Sequence, residues 1–138
     1  MFGAPVIAVV EDDDAMREAL SDLLQVLGLP CCTFDRAESF LAAHEKLAFG
    51  CLISDVRLPG ISGLDLLQRL KEMGSTMPVI ITTSYTDTSI RSRALEGGAY
   101  VYLTKPFADE VLLKHLNSAL RSKIPPGEVN RQEDAPDG

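Results

Sequence analysis

Five times along this chain a short apolar run, rich in β-branched residues, is followed by a stretch with helical periodicity. The runs are "PVIAVV" (residues 5–10), "PCCTF" (30–34), "CLIS" (51–54), "MPVIITT" (77–83) and "YVYLT" (100–104). "VIAVV", "CLIS" and "PVII" lack the apolar–polar alternation of a sheet with one wet face, so they read as strands covered on both sides. Successive strands joined through a helix run parallel, because the crossover returns the chain to the same end of the sheet.

The helical stretches carry their own punctuation. Met16, Leu20, Leu23, Leu24 and Leu27 recur at helical spacing, with Asp13 or Asp14 able to cap the start and Gly28 to end it. Ala37, Phe40, Leu41 and Leu47 form the next stripe, and Gly63, Leu66, Leu67, Leu70 and Met73 the third. A polar, capped helix is expected over residues 86–98. A last helix follows, with Val111, Leu112, His115, Leu116 and Ala119 on its inner side. Five strands alternating with five helices predict an α/β fold: a flavodoxin-like, doubly wound, five-stranded parallel sheet of order 2-1-3-4-5 with helices on both faces. The domain is expected over residues 4–123. Residues 124–138 are polar, mixed in charge and without period, which predicts a disordered C-terminal tail.

Composition narrows the function classes. A formal net charge of −7 argues against a nucleic-acid surface, which needs a basic patch. The chain has 3 cysteines, an odd number with two adjacent, and its 2 histidines lie far apart, which fits neither a disulfide framework nor a zinc site. Three reduced, mostly buried thiols in a cytoplasmic protein are the expectation. No basic-flanked leader is present, and no apolar run approaches the ~20 residues of a membrane span.

The chemistry sits at strand ends. In such a sheet, ligands bind outside the carboxyl ends, beside the first and third strands. The first strand ends in "EDDD" (residues 11–14), the third in Asp55, the fourth in Thr82, Thr83 and Ser84, and the fifth in Thr104, Lys105 and Pro106. An acidic first turn would repel a nucleotide phosphate. Two carboxylates ~5 Å apart repel by roughly 3 kcal/mol at an effective dielectric near 20. Several are tolerated together when a cation lies among them, and an all-oxygen donor set suits Mg2+ or Mn2+. Asp55 is then either a further ligand or a nucleophile for a phosphoryl group. A transferring phosphoryl group spreads charge over three oxygens: a metal can cover one, Lys105 a second and the Thr82 hydroxyl the third.

The segments "VVEDDDAMREAL", "LISDVRLPGISGLDLL", "PVIITTS" and "GGAYVYLTKPF", in this order and spacing, resemble the receiver domain of two-component response regulators. The resemblance covers about residues 4–123. It implies that Asp55 is the phosphoacceptor, that Asp12 and Asp55 bind Mg2+ with the backbone carbonyl of Arg57, and that Glu11 acts through a metal-bound water. Many receivers carry Asp at the position of Glu11. Thr82 would contact the phosphoryl group, Lys105 would pair with it, and the Lys105–Pro106 bond would be cis. Tyr102 matches the family's switch aromatic, whose ring turns inward when Thr82 moves. The implied donor is a phosphohistidine on a sensor histidine kinase or a histidine phosphotransfer protein, and a phosphorylation-dependent homodimer is compatible with the family. The implied role is a signalling domain that assists its own phosphorylation and dephosphorylation rather than an enzyme.

Two other classes compete. A metal-dependent aspartyl phosphohydrolase typically places a second acid two residues beyond its nucleophile, where this chain has Arg57. A receiver-like interaction module that is never phosphorylated tends to lose the acids or the lysine, and this chain keeps Glu11, Asp12, Asp55 and Lys105. After residue 123 no DNA-binding, kinase or cyclase pattern is read, so a stand-alone regulator acting by protein contact is the expectation, with a larger protein cut at a linker as the alternative.

Overall fold

The apolar runs form strands β1 (Ile7–Val10), β2 (Cys31–Phe34), β3 (Cys51–Asp55), β4 (Val79–Thr83) and β5 (Val101–Thr104). Between and after them lie α1 (Asp14–Val26), α2 (Ala37–His44), α3 (Gly63–Glu72), α4 (Thr88–Glu96) and α5 (Asp109–Arg121). These come from a computed structural model that describes residues 5–84 and 88–121. The expected tail and the cap of α4 lie outside the described residues.

All strand pairs are parallel, and the order is β2-β1-β3-β4-β5, as expected. The three central strands are buried on both faces, which is why their sequences do not alternate. Ile7, Val9, Cys51, Ile53 and Ile80 point to the side covered by Leu20 and Leu24 of α1 and Leu112 and Leu116 of α5. Ala8, Val10, Leu52, Val79 and Ile81 point to the other side, under Phe40 of α2, Leu66, Leu67 and Leu70 of α3 and Ala94 of α4.

Several expected core positions lie at helix ends and miss the core. Leu47 is three residues past the end of α2 and 51% exposed, so it does not share that helix's stripe. Met73, 56% exposed, is the C-cap of α3 rather than part of its buried face. Leu27 and Val111 are also exposed. Helical periodicity names a face, but a residue beyond the sheet's edge has nothing to pack against. Of the thiols only Cys51 is fully buried; Cys31 and Cys32 are half-buried because β2 is an edge strand. Among the described residues no helix is long and apolar enough to cross a membrane.

Candidate functional site

The strand register brings the carboxyl-end residues together. Val10 is paired with Ser54, so Glu11 leaves β1 beside the end of β3, where Asp55 is paired with Thr82 of β4. Thr83 is paired with Thr104, and the Thr83 carbonyl accepts the Lys105 N–H at 2.7 Å. Asp55 and Thr82 are thus level with Leu103, and Lys105 starts its loop two residues further on, from where its side chain reaches back to the pocket. The Lys105–Pro106 peptide bond is cis, as the resemblance implies.

Glu11, Asp12 and Asp55 each offer a carboxylate oxygen, and these oxygens all lie within 4.8 Å of one another. Glu11 is buried, Asp55 is buried and Asp12 is exposed, so the cluster opens to water on the Asp12 side. The Lys105 ammonium donates to Glu11 Oε1 at 2.7 Å and stands 3.4 Å from Asp55 Oδ2. The other oxygen of Glu11 accepts the Asp13 N–H at 3.1 Å. Burial pushes the carboxyl groups of Glu11 and Asp55 above their usual values, and the contacts with Lys105 only partly offset it. Burial acts against the charge of Lys105 too. Its bond to Glu11 and the charge of Asp55 outweigh that, and its pKa lies above the ordinary lysine value. One ammonium shared between two acids leaves each acid undercompensated while itself being doubly held. A divalent cation beside the same oxygens would complete the balance.

The remaining expected residues take different places. Thr82 is buried in β4, with its hydroxyl 3.5 Å from the Ser54 carbonyl that it faces as donor. Arg57, two residues past Asp55, is exposed. Tyr102 is half-buried and packs against the core on the α2, α3 and α4 side.

Some supporting residues carried no functional signal in the sequence. Asp13, not Asp14, is the N-cap of α1, accepting the Met16 N–H at 3.1 Å. Arg17 donates to the Glu11 carbonyl at 2.8 Å and pairs with Asp14, closing the acidic turn from the helix side. The spacing of Asp14 and Arg17 suggests their pairing, but only the fold shows the bond back to Glu11. Gly63, first residue of α3, donates its N–H to the Val56 carbonyl at 2.8 Å.

This geometry agrees with a family comparison: the model for "Response regulator receiver domain" matches residues 7–117. The chain belongs to that family. This receiver domain is 42% identical over 119 residues to the transcriptional regulatory protein FixJ of Bradyrhizobium diazoefficiens, covering 86% of this chain and 58% of that protein. It is 42% identical over 118 residues to the response regulator protein TodT of Pseudomonas putida, covering 86% of this chain and 52% of that one. The chain thus spans little more than half the length of these curated relatives. Among solved structures, the BeF3-activated DrrB receiver domain superposes with a TM-score of 0.78 at 34% identity, covering 86% of this chain and 99% of that one. FixJ-N superposes with a TM-score of 0.80 at 28% identity, covering 90% and 98%.

Proposed function

We propose that Asp55 accepts a phosphoryl group from a phosphohistidine. The observation that carries the reading is the position of its carboxylate at the end of β3, within 4.8 Å of carboxylate oxygens of Glu11 and Asp12 and 3.4 Å from the Lys105 ammonium that also binds Glu11. An Asp55 oxygen attacks phosphorus, forming a P–O bond as the P–N bond breaks. The bonding pair returns to the imidazole nitrogen, which takes up a proton from water. The product is an acyl phosphate, which water hydrolyses to carboxylate and inorganic phosphate, so the signal ends by itself.

The chain's own residues position and neutralise the transferred group. Lys105 pairs with one phosphoryl oxygen, exchanging part of its contact with Asp55 for it. The Thr82 hydroxyl, next to Asp55 across the sheet, serves another. Glu11 keeps Lys105 aimed at the pocket. Asp12, Asp55 and the Arg57 carbonyl would hold Mg2+, or Mn2+, with Glu11 reaching it through water. The all-oxygen donor set and the open Asp12 side fit such an ion. When bound, the ion supplies positive charge to the phosphoryl oxygens.

Movement of Thr82 towards the phosphoryl group would free space for the ring of Tyr102. That would couple the charge on Asp55 to the surface of α4, β5 and α5. On this reading the protein is a cytoplasmic signalling domain that promotes its own phosphorylation and dephosphorylation. Its partners are a sensor histidine kinase or histidine phosphotransfer protein and a downstream protein, with phosphorylation-dependent pairing of two copies compatible with the switch.

The test is labelling with acetyl phosphate and Mg2+, read by intact-protein mass spectrometry. Wild type should gain one phosphoryl group, whereas Asp55→Asn and magnesium-free wild type should gain none. Equal labelling of Asp55→Asn would refute the assignment, and steady release of phosphate from small phosphoesters would point to a phosphohydrolase instead.

A further inference from the structure

The loop between Asp55 and α3 is tied to a helix outside the pocket. Glu38, in the first turn of α2, lies 23 residues before Ile61, and its Oε2 accepts the Ile61 N–H at 3.2 Å. Gly60, the preceding residue, has φ 72°, and the Glu38 carboxylate fills the space beside its Cα. A Cβ at residue 60 would overlap Oε2 and stand 3.1 Å from the carboxyl carbon, besides adopting a left-handed backbone that L residues disfavour. Leu58 and Ile61 also rest their side chains on the core under α2, α3 and α4. The loop is thus held by apolar contact from below and by one carboxylate from the side. Arg57 lies between these anchors and Asp55.

We propose that Glu38 is a positioning residue, whose carboxylate holds the loop over residues 57–61 in the conformation that presents the Arg57 carbonyl to a divalent cation. This rests on the reading of the Asp55 pocket given above. Glu38 acts through the backbone, by fixing the Ile61 peptide, and not by touching the ion. An amide at the same reach keeps an acceptor oxygen for the Ile61 N–H, so Glu38→Gln preserves the tether while removing the charge. Glu38→Ala removes both. The two variants therefore separate a hydrogen-bonded tether from simple attraction between a carboxylate and a cation.

The experiment measures Mg2+ affinity by calorimetry in about 0.3 M KCl, where screening acts within about 6 Å. It also follows Ile61 amide exchange by NMR in magnesium-free protein. Outer-shell partners of metal sites commonly change affinity by about tenfold or more, and a backbone tether one step further out should give about three- to tenfold. Glu38→Ala should weaken Mg2+ binding by that factor and speed Ile61 exchange. Glu38→Gln should stay within about twofold of wild type in both measurements. Unchanged affinity in Glu38→Ala overturns the proposal while leaving the Asp55 reading intact. Equal weakening in both variants also overturns it, since charge alone would then be responsible. Failure of wild type to bind Mg2+ overturns both this proposal and the metal reading beneath it.

Discussion

Replacing Gly63 by alanine should damage this domain more than its small size suggests, because the new methyl group meets backbone instead of side chains. A Cβ at Gly63 would stand 2.9 Å from the Asp55 carbonyl carbon and 3.0 Å from Val56 Cα, and would overlap the Asp55 carbonyl oxygen. None of these atoms can rotate away. To restore ordinary contact, the start of α3 must retreat by about 1 Å, and overpacking of this kind costs about 1–3 kcal/mol. The same retreat stretches the Gly63 N–H bond to the Val56 carbonyl from 2.8 Å towards the limit of hydrogen bonding. Leaving those groups unsatisfied adds about 1–3 kcal/mol. The higher helix propensity of alanine returns at most about 1 kcal/mol. The net loss is about 1–5 kcal/mol, centred on about 3. With a urea m-value of about 2 kcal/mol/M, the unfolding midpoint should fall by about 0.5–2.5 M. The chain has no tryptophan, so far-UV circular dichroism is the suitable signal. Gly28→Ala is the control: residue 28 has φ 77° with open space around it, so it carries only the backbone cost of about 1–2 kcal/mol. A Gly63→Ala midpoint no lower than that of Gly28→Ala would refute the close-approach argument.

Two more outcomes follow from burial of charge and of a thiol. Asp55 has a folded pKa above its ordinary 3.8, so its contribution favours the folded state below that value and is lost as pH rises through the folded pKa. In magnesium-free buffer, Asp55→Asn should therefore be more stable than wild type at pH about 7, with the gap closing towards pH about 4; urea midpoints across that range check it, and a gap that widens on acidification would contradict the direction. Burial pushes the Cys51 thiol from 9.0 up to about 12, so it should resist iodoacetamide at mildly alkaline pH until the protein unfolds. Mass spectrometry of the alkylated native protein gives the answer, with native labelling of Cys51 as the contrary result.

Much of the architecture was legible because its signals are local. Uniform apolar runs in the strand regions and 3.6-residue stripes between them were enough for a parallel, doubly wound sheet, and the strand order followed from the usual solution for five strands. Errors fell at helix ends, at Leu47 and Met73, where periodicity continues in the sequence but the sheet beneath has ended. The acids were legible for a related reason. Glu11, Asp12 and Asp55 break apolar runs at their carboxyl ends, and a topology rule already places those ends at one crevice.

Spacing within a few residues is enough to define the elements and the chemical types that gather at the carboxyl ends of the strands. Who touches whom follows only from the folded chain. Lys105 binds Glu11 more closely than Asp55, Arg17 closes the acidic turn from α1, and Glu38 reaches the loop before α3. Those contacts join residues up to 94 positions apart. Their distances depend on how strands register and how helices settle on the sheet, and neither leaves a trace in the spacing of residues along the chain.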